Sequence, residues 1–264
     1  MKIGISGITG KMGKVLIEQV TANEFLELAS GLVRKNSALI GDDIGKITNR
    51  ENLGILATDN LEDFVKNSTA IIDFSTPSLT VALAEKCSEL GKIMVCGTTG
   101  LNESERNYLA QLAQKTVIVW SANMSLGVNL LSNLIEKAAA ILHDDFDIEI
   151  VEMHHNRKID APSGTALLLG NAAAKGRGVN LQEVGVMSRF GNDAKRKKGE
   201  IGFAALRGGD VVGDHSVIFA GDGERIELTH KAQSRDIFAK GAIRAAIWAS
   251  AQRPGFYSMR DVLR

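Results

Sequence analysis

Residues 3–13 read Ile3-Gly4-Ile5-Ser6-Gly7-Ile8-Thr9-Gly10-Lys11-Met12-Gly13. Ile3 and Ile5 alternate with small residues at the period of a strand, and Val15, Leu16, Gln19 and Val20 then continue at helical spacing. The order is therefore strand, glycine turn, helix. In such a turn the backbone N–H groups approach a pyrophosphate closely, and the helix N-terminus adds a favourable field. Gly7, Ile8, Thr9, Gly10, Lys11 and Met12 are thus candidates for holding a dinucleotide. The Gly-x-x-Gly-x-x-Gly spacing departs from the usual fingerprint, so taken alone it also fits a purely structural turn.

The pattern repeats outward from there. Residues 26–33 and 70–74 read as strands, residues 61–65 and 78–90 as helices, and residues 93–96 as a strand entering the small-residue turn Gly97-Thr98-Thr99-Gly100. Asn102 and Glu105 have the spacing of a capping box, and residues 117–120 form the next strand. Residues 37–52, rich in glycine and charge, read as loop. Alternating strands and helices predict a parallel, doubly wound sheet with ligands at the strand C-termini, here Gly7, Val33, Phe74 and Gly97. An enzyme selective for NADH places an acid after the second strand to hold the ribose hydroxyl. Here Val33 is followed by Arg34 and Lys35. Cations without the acid suit a 2′-phosphate, so NADPH is expected over NADH, with NADH still possible.

The chemistry concentrates in Glu152-Met153-His154-His155-Asn156-Arg157-Lys158-Ile159-Asp160-Ala161-Pro162-Ser163-Gly164-Thr165. The lead-in, residues 146–150, alternates apolar and acidic residues as a half-buried strand does, so the two histidines emerge where that strand ends. Pro162 disfavours helix at Ala161, Ser163 can cap, and Ala166, Leu167, Leu168 and Leu169 are good helix formers, which starts a helix near Gly164. Its N–H groups, the hydroxyls of Ser163 and Thr165, and the ammonium of Lys158 make a carboxylate site. One histidine titrating near neutral pH can donate a proton while its neighbour hydrogen-bonds the ligand. No metal is expected, because Cys96 is distant in sequence and no Cys-x-x-Cys or His-x-x-x-His spacing occurs.

Elsewhere, a helix from Asn129 carries Leu130, Leu131, Leu134, Ile135, Ala138 and Leu142 as a packing face. Residues 188–199 hold Arg189, Lys195, Arg196, Lys197 and Lys198 and read as a solvated mobile loop. Strand-like runs at 201–207, 211–219 and 225–230, separated by glycine turns, predict a second sheet of neighbouring hairpins. His143, His215 and His230 are expected in structural roles. Ile237, Ile243, Ala246, Ile247 and Trp248 mark an amphipathic helix that returns to the first domain.

With 264 residues, zero formal net charge and 44% hydrophobic content, the chain has neither the basic excess of a nucleic-acid binder nor the polarity of a disordered protein. Two domains are expected: residues 1–125 with 235–264, and residues 126–234. The first residues enter a strand directly and no apolar run is long enough to span a bilayer, so no membrane partner and a cytoplasmic location are expected. Cys87 and Cys96 read as free thiols.

The run Glu152-x-His154-His155-x-x-Lys158-x-Asp160-Ala161-Pro162-Ser163-Gly164-Thr165-Ala166 closely resembles the signature of the 4-hydroxy-tetrahydrodipicolinate (dihydrodipicolinate) reductases. Gly7, Gly10, Met12 and Gly13 match the same family's N-terminal fingerprint, and the resemblance extends over nearly the whole chain. It implies an α/β protein with an N-terminal Rossmann-type dinucleotide-binding domain and an α+β substrate-binding and oligomerisation domain built on a mixed sheet. By resemblance, His154 is the proton donor and Lys158 its catalytic partner, while His155, Gly164 and Thr165 bind a dicarboxylate substrate. Gly97, Thr98 and Thr99 then contact the cofactor, Ser121, Ala122, Asn123 and Met124 line its nicotinamide side, and Arg235 lies near the substrate. A homotetramer is implied as well. The chain departs from the pattern after Val33, where it keeps the arginine and lacks the acid before it.

The expected activity is NAD(P)H-dependent reduction of 4-hydroxy-tetrahydrodipicolinate to tetrahydrodipicolinate in diaminopimelate and lysine biosynthesis. Two rival readings use the same residues differently. One is a semialdehyde dehydrogenase with Cys96 as thiolate nucleophile, and the other is a non-enzymatic NADPH sensor.

Overall fold

Ile3 and Ile5 are both fully buried and form the middle of β1 (Lys2–Ser6), the strand on which the first sheet is built. The computed structural model describes residues 1–264 and contains two compact units, Met1–Leu126 with Arg235–Arg264, and Gly127–Ser234. In the first unit, β1 leads through α1 (Lys11–Thr21), β2 (Glu27–Leu32), α2 (Ile44–Ile47), β3 (Ala57–Thr58), α3 (Leu61–Lys66), β4 (Ala70–Asp73), α4 (Pro77–Leu90), β5 (Ile93–Cys96) and α5 (Glu103–Leu112) to β6 (Val117–Trp120). From its second residue onward α6 (Leu126–Leu142) belongs to the second unit, which also contains β7 (Asp147–His154), α7 (Gly164–Arg177), α8 (Leu181–Val184), β8 (Gly185–Val186), β9 (Ile201–Arg207), β10 (Gly213–Gly221) and β11 (Glu224–Ala232). The chain then returns to the first unit through α9 (Asp236–Ala249), β12 (Gly255–Tyr257) and α10 (Met259–Val262).

The first sheet has the order β12-β6-β5-β4-β1-β2-β3, and every pairing is parallel. Its central strands are buried on both faces, which is why β4 reads as an uninterrupted apolar run. Ile72, Val95 and Val119 pack on one side with Leu16, Val20, Ala242 and Ala246. Ile71, Met94 and Ile118 pack on the other with Phe64, Leu83 and Leu109. The capping box expected at Asn102 and Glu105 is formed. Residues 37–52 are not wholly loop. Buried Asp43 accepts hydrogen bonds from the N–H groups of Gly45, Leu53 and Gly54 at 2.8, 3.0 and 2.7 Å, which anchors the single turn α2. Strands β3 and β12, of two and three residues, are too short to show a period.

The second sheet has the order β11-β10-β7-β9-β8 and is mixed: β7 runs antiparallel to β10 and parallel to β9. Only β10 and β11 form the hairpin expected from the glycine turns. Strand β7 lies between β9 and β10, and its Ile148 and Ile150 are fully buried in the second unit's core. The link between β9 and β10 therefore crosses the end of β7, where Gly208 N–H donates to the His154 carbonyl at 2.9 Å and His155 N–H to the Val211 carbonyl at 2.8 Å.

Helix α6 packs differently from the expected stripe. Leu131, Ile135 and Ala139 are buried, whereas Leu130 and Leu134 are 52% and 44% exposed. Paired apolar residues at 130/131 and 134/135 offer two faces. The close approach of α7 selects one of them: a Cβ on Gly176 would lie 2.3 Å from the Glu136 carbonyl oxygen. In residues 188–199, Arg189 pairs with Glu149 and Glu200, and Arg196 with Asp147 and Glu149, so two of the five cations are tied to acids. No helix is long and apolar enough to cross a membrane.

Candidate active site

The glycine turn has the shape that backbone contact with a phosphate requires. Gly7 has φ +70°, a region side chains disfavour, and Gly10 N–H donates to the Gly7 carbonyl at 3.0 Å. A Cβ on Gly13 would stand 2.3 Å from the same carbonyl oxygen, so only glycine lets α1 start this close to β1. No side chain caps the first turn of α1. Ile8 is fully buried and offers a ligand only its main chain, while Thr9, Gly10 and Lys11 are exposed. These residues fit a dinucleotide pyrophosphate.

Arg34 and Lys35 are exposed immediately after β2. A carboxylate does reach this turn, though not from the expected position: Asp59, just past β3, accepts the N–H of Asn36 at 3.2 Å. At the end of β5, a Cβ on Gly97 would meet the Phe74 ring at 2.3 Å. Thr98 donates its hydroxyl to buried Asp73 at 3.0 Å and accepts the N–H of Ser75 at 2.9 Å, while Thr99 is exposed. Asp73 also accepts from Ser6 and Thr80, both at 2.5 Å, so one buried carboxylate ties three strand ends together. In the turn after β6, the Ser121 hydroxyl donates to the Asn123 carbonyl at 2.8 Å, and Ala122 is exposed. Met124 is buried in this unit's core, which leaves its main chain for a ligand. Arg235 is the N-cap residue of α9 in the same unit. Cys96 is fully buried, and burial foremost, with the Asp73 charge, pushes its thiol up to about 12. A thiolate nucleophile there has no support.

The second unit builds its site from one face of one sheet. Along β7, Ile148, Ile150, Glu152 and His154 share a face at the strand period of two. The first two are core, and the last two carry charge and hydrogen bonds. Register brings His215 of β10 opposite Glu152 and Arg207 of β9 opposite His154. The Glu152 carboxylate lies 2.5 Å from Nδ1 of His154, receives both terminal nitrogens of Arg207 at 2.8 and 3.0 Å, and accepts the N–H of Ser163 at 3.1 Å. Burial opposes its charge, but the bonds from Arg207 and His154 outweigh it and hold the carboxyl below the usual range.

Ser163 caps α7 by accepting the N–H of Ala166 at 3.1 Å, and its hydroxyl also meets Nε2 of His215 at 3.0 Å. The rings of His215 and His154 are edge to face, 5.0 Å apart. Lys158 Nζ donates to Asp160 at 2.8 Å, and this bond foremost holds the Asp160 carboxyl below its usual range. Gly164 opens α7 with empty space beside its Cα, and Thr165 follows it half-buried. His155 is half-buried and held through its backbone at the strand end.

The expected residues His154, His155, Lys158, Ser163, Gly164 and Thr165 therefore gather around one strand end and one helix start. Glu152, Arg207 and His215 join them; Glu152 and Arg207 were assigned no role from the sequence, and His215 only a structural one. Glu152 was legible, since two residues before His154 on a strand means the same face. Arg207 and His215 come together with it only through strand register.

A glycine turn at a doubly wound sheet, together with a histidine, a lysine and a helix start at a second sheet, defines a nicotinamide-dinucleotide-dependent reductase. Residues 1–124 match the family model described as dihydrodipicolinate reductase, N-terminus, and residues 127–263 match its C-terminus. The chain belongs to the dihydrodipicolinate reductase family. It is 51% identical over 264 residues to the 4-hydroxy-tetrahydrodipicolinate reductase of Bartonella bacilliformis, covering 100% of this chain and 98% of that protein. It is 47% identical over 263 residues to that of Roseobacter denitrificans, covering 100% and 97%. Among solved structures, a dipicolinate-bound dihydrodipicolinate reductase from Paenisporosarcina sp. TG-14 matches with TM-score 0.79 at 25% identity, covering 100% of this chain and 99% of that one.

Proposed function

We propose that this protein reduces 4-hydroxy-tetrahydrodipicolinate to tetrahydrodipicolinate in the diaminopimelate and lysine pathway, with NADPH as the preferred reductant and His154 as proton donor. The observation that carries the reading is the juxtaposition of His154, Lys158 and the start of α7. A proton donor, a cation and helix N–H groups lie within one short stretch that ends a strand and begins a helix. The dipicolinate bound to the Paenisporosarcina relative is a planar dicarboxylate, which supports a substrate of the same class here.

A reduced nicotinamide supplies the hydride when it is bound. The chain's own residues do the rest. A carbon that accepts hydride becomes carbanion- or enamine-like, so an acid must supply the second hydrogen, and His154 is that acid. Loss of the 4-hydroxyl as water, with uptake of one hydride and one proton, balances the reaction. Lys158, His155, Ser163, Gly164 and Thr165 hold the carboxylates through charge and N–H donors, and Arg235 adds a cation to the substrate. Gly7–Met12 in sequence order, with Gly97, Thr98, Thr99 and the residues 121–124, hold the dinucleotide, and Arg34 and Lys35 pair with a 2′-phosphate. The first unit is thus the dinucleotide-binding domain and the second the substrate and oligomerisation domain of a cytoplasmic homotetramer.

The roles are separable by kinetics. His154→Ala lowers kcat more than it raises KM, whereas Thr165→Val mainly raises KM for the dicarboxylate. Equal effects on both parameters in both variants contradict the assignment.

A further inference from the structure

Glu152 is buried on β7 and makes four hydrogen bonds, each to a group that matters to the site. Its Oε2 faces Nδ1 of His154 at 2.5 Å and receives Arg207 at 2.8 Å, while Oε1 receives Arg207 at 3.0 Å and the Ser163 N–H at 3.1 Å. Arg207 is held in turn, because it also donates to the Asp160 carbonyl at 2.6 Å and to the Leu206 carbonyl at 2.6 Å. A carboxylate fixed by a two-point guanidinium bond accepts hydrogen bonds and donates none. The proton of His154 facing it is therefore on Nδ1, and Nε2 is the nitrogen that carries the transferable proton. A Cβ placed on Gly213 would lie 2.9 Å from that Nε2, so glycine at this point keeps space beside it.

We infer that Glu152 is the positioning residue of the reaction. It fixes the tautomer and orientation of His154 and, through the Ser163 N–H, locks that ring to the helix start that receives the substrate carboxylate. The inference rests on His154 being the proton donor. When the imidazolium gives its Nε2 proton to the substrate carbon, it becomes neutral imidazole with the remaining proton on Nδ1. Glu152 stays a carboxylate throughout and neither gains nor loses a proton. The other charged or titratable groups around the ring are Arg207 from β9 and His215 from β10, with His230 of β11 and Lys158 of the loop acting on His215.

Three readouts test this. In the unmodified enzyme at a pH where the ring is neutral, 15N chemical shifts of His154, assigned against His154→Gln, show the proton on Nδ1. A proton on Nε2 overturns the inference, and this measurement stands even if a Glu152 variant does not fold. Glu152→Gln lowers kcat at least about 10-fold and leaves KM for NADPH unchanged. A folded Glu152→Gln enzyme with the wild-type kcat overturns it. Finally, adding Glu152→Gln to His154→Gln costs no further kcat if Glu152 acts through the ring. Multiplying losses overturn the positioning role while leaving His154 as donor, whereas a His154→Gln enzyme with full kcat overturns the donor reading and the inference with it.

Discussion

The hydroxyl oxygen of Ser163 lies 3.0 Å from Nε2 of His215, across 52 positions of sequence. That contact joins the cap of α7 to the middle of the second sheet. Burial foremost, and then the charge of His154, lowers His215 to about 4, so it is neutral at pH 7. Its Nδ1 is buried without a partner, which adds to the cost of charging it.

Stability follows from that shift. The folded-state value is below the ordinary 6.5, so the folded protein binds fewer protons than the unfolded one between pH 6.5 and about 4. Stability from His215 is complete above that window and is lost as pH falls through it, by on the order of 3 kcal/mol. His215→Gln removes this part of the slope. Urea unfolding at pH 7 and pH 4.5 should show a smaller difference in the variant than in the parent; the same difference in both contradicts the account.

Asp160 competes for the cation assigned to the substrate. Its carboxylate holds Lys158 at 2.8 Å, so a substrate carboxylate must share or displace it. Asp160→Asn is expected to lower KM for the dicarboxylate roughly 3- to 10-fold, the worth of one partly exposed ion pair. A raised KM would mean that Asp160 orients Lys158 instead of competing for it.

On the proposed reading, the exposed cations Arg34 and Lys35 after β2 select NADPH. Arg34→Ala should raise KM for NADPH by about 10-fold, one charge-assisted bond, and leave KM for NADH nearly unchanged. Loss of affinity for both nucleotides in equal measure would remove the 2′-phosphate argument. Asp59 bears on the same question, because its carboxylate reaches this turn although it lies 23 residues from Asn36.

Cys96 should be chemically silent. Its thiol is fully buried and pushed up to about 12. Iodoacetamide at pH 8 is expected to leave the reductase activity intact, whereas inactivation that tracks alkylation of Cys96 would restore the thiol reading.

The first sheet was legible because its strands are buried on both faces and its helices lie between them, so hydrophobic runs and glycine turns mark each element. The second sheet was less so. Residues 201–207 and 211–219 both read as strands, but sequence periodicity is silent on which strand lies between two others, and β7 occupies that place. The same limit hid part of the site. His154, Lys158 and the α7 start sit in one stretch and could be read together, while Arg207 and His215 reach it only through register with β7. Leu130 and Leu134 show the converse, since their spacing is that of a buried stripe and yet α6 turns its neighbouring face inward.

The central claim is tested most directly by the initial rate of NADPH and NADH oxidation with substrate generated freshly from pyruvate and aspartate semialdehyde by a synthase. The account predicts oxidation that depends on that substrate and runs faster with NADPH. Equal rates would keep the reductase and discard the cofactor preference, and no oxidation of either nucleotide would contradict the proposed activity.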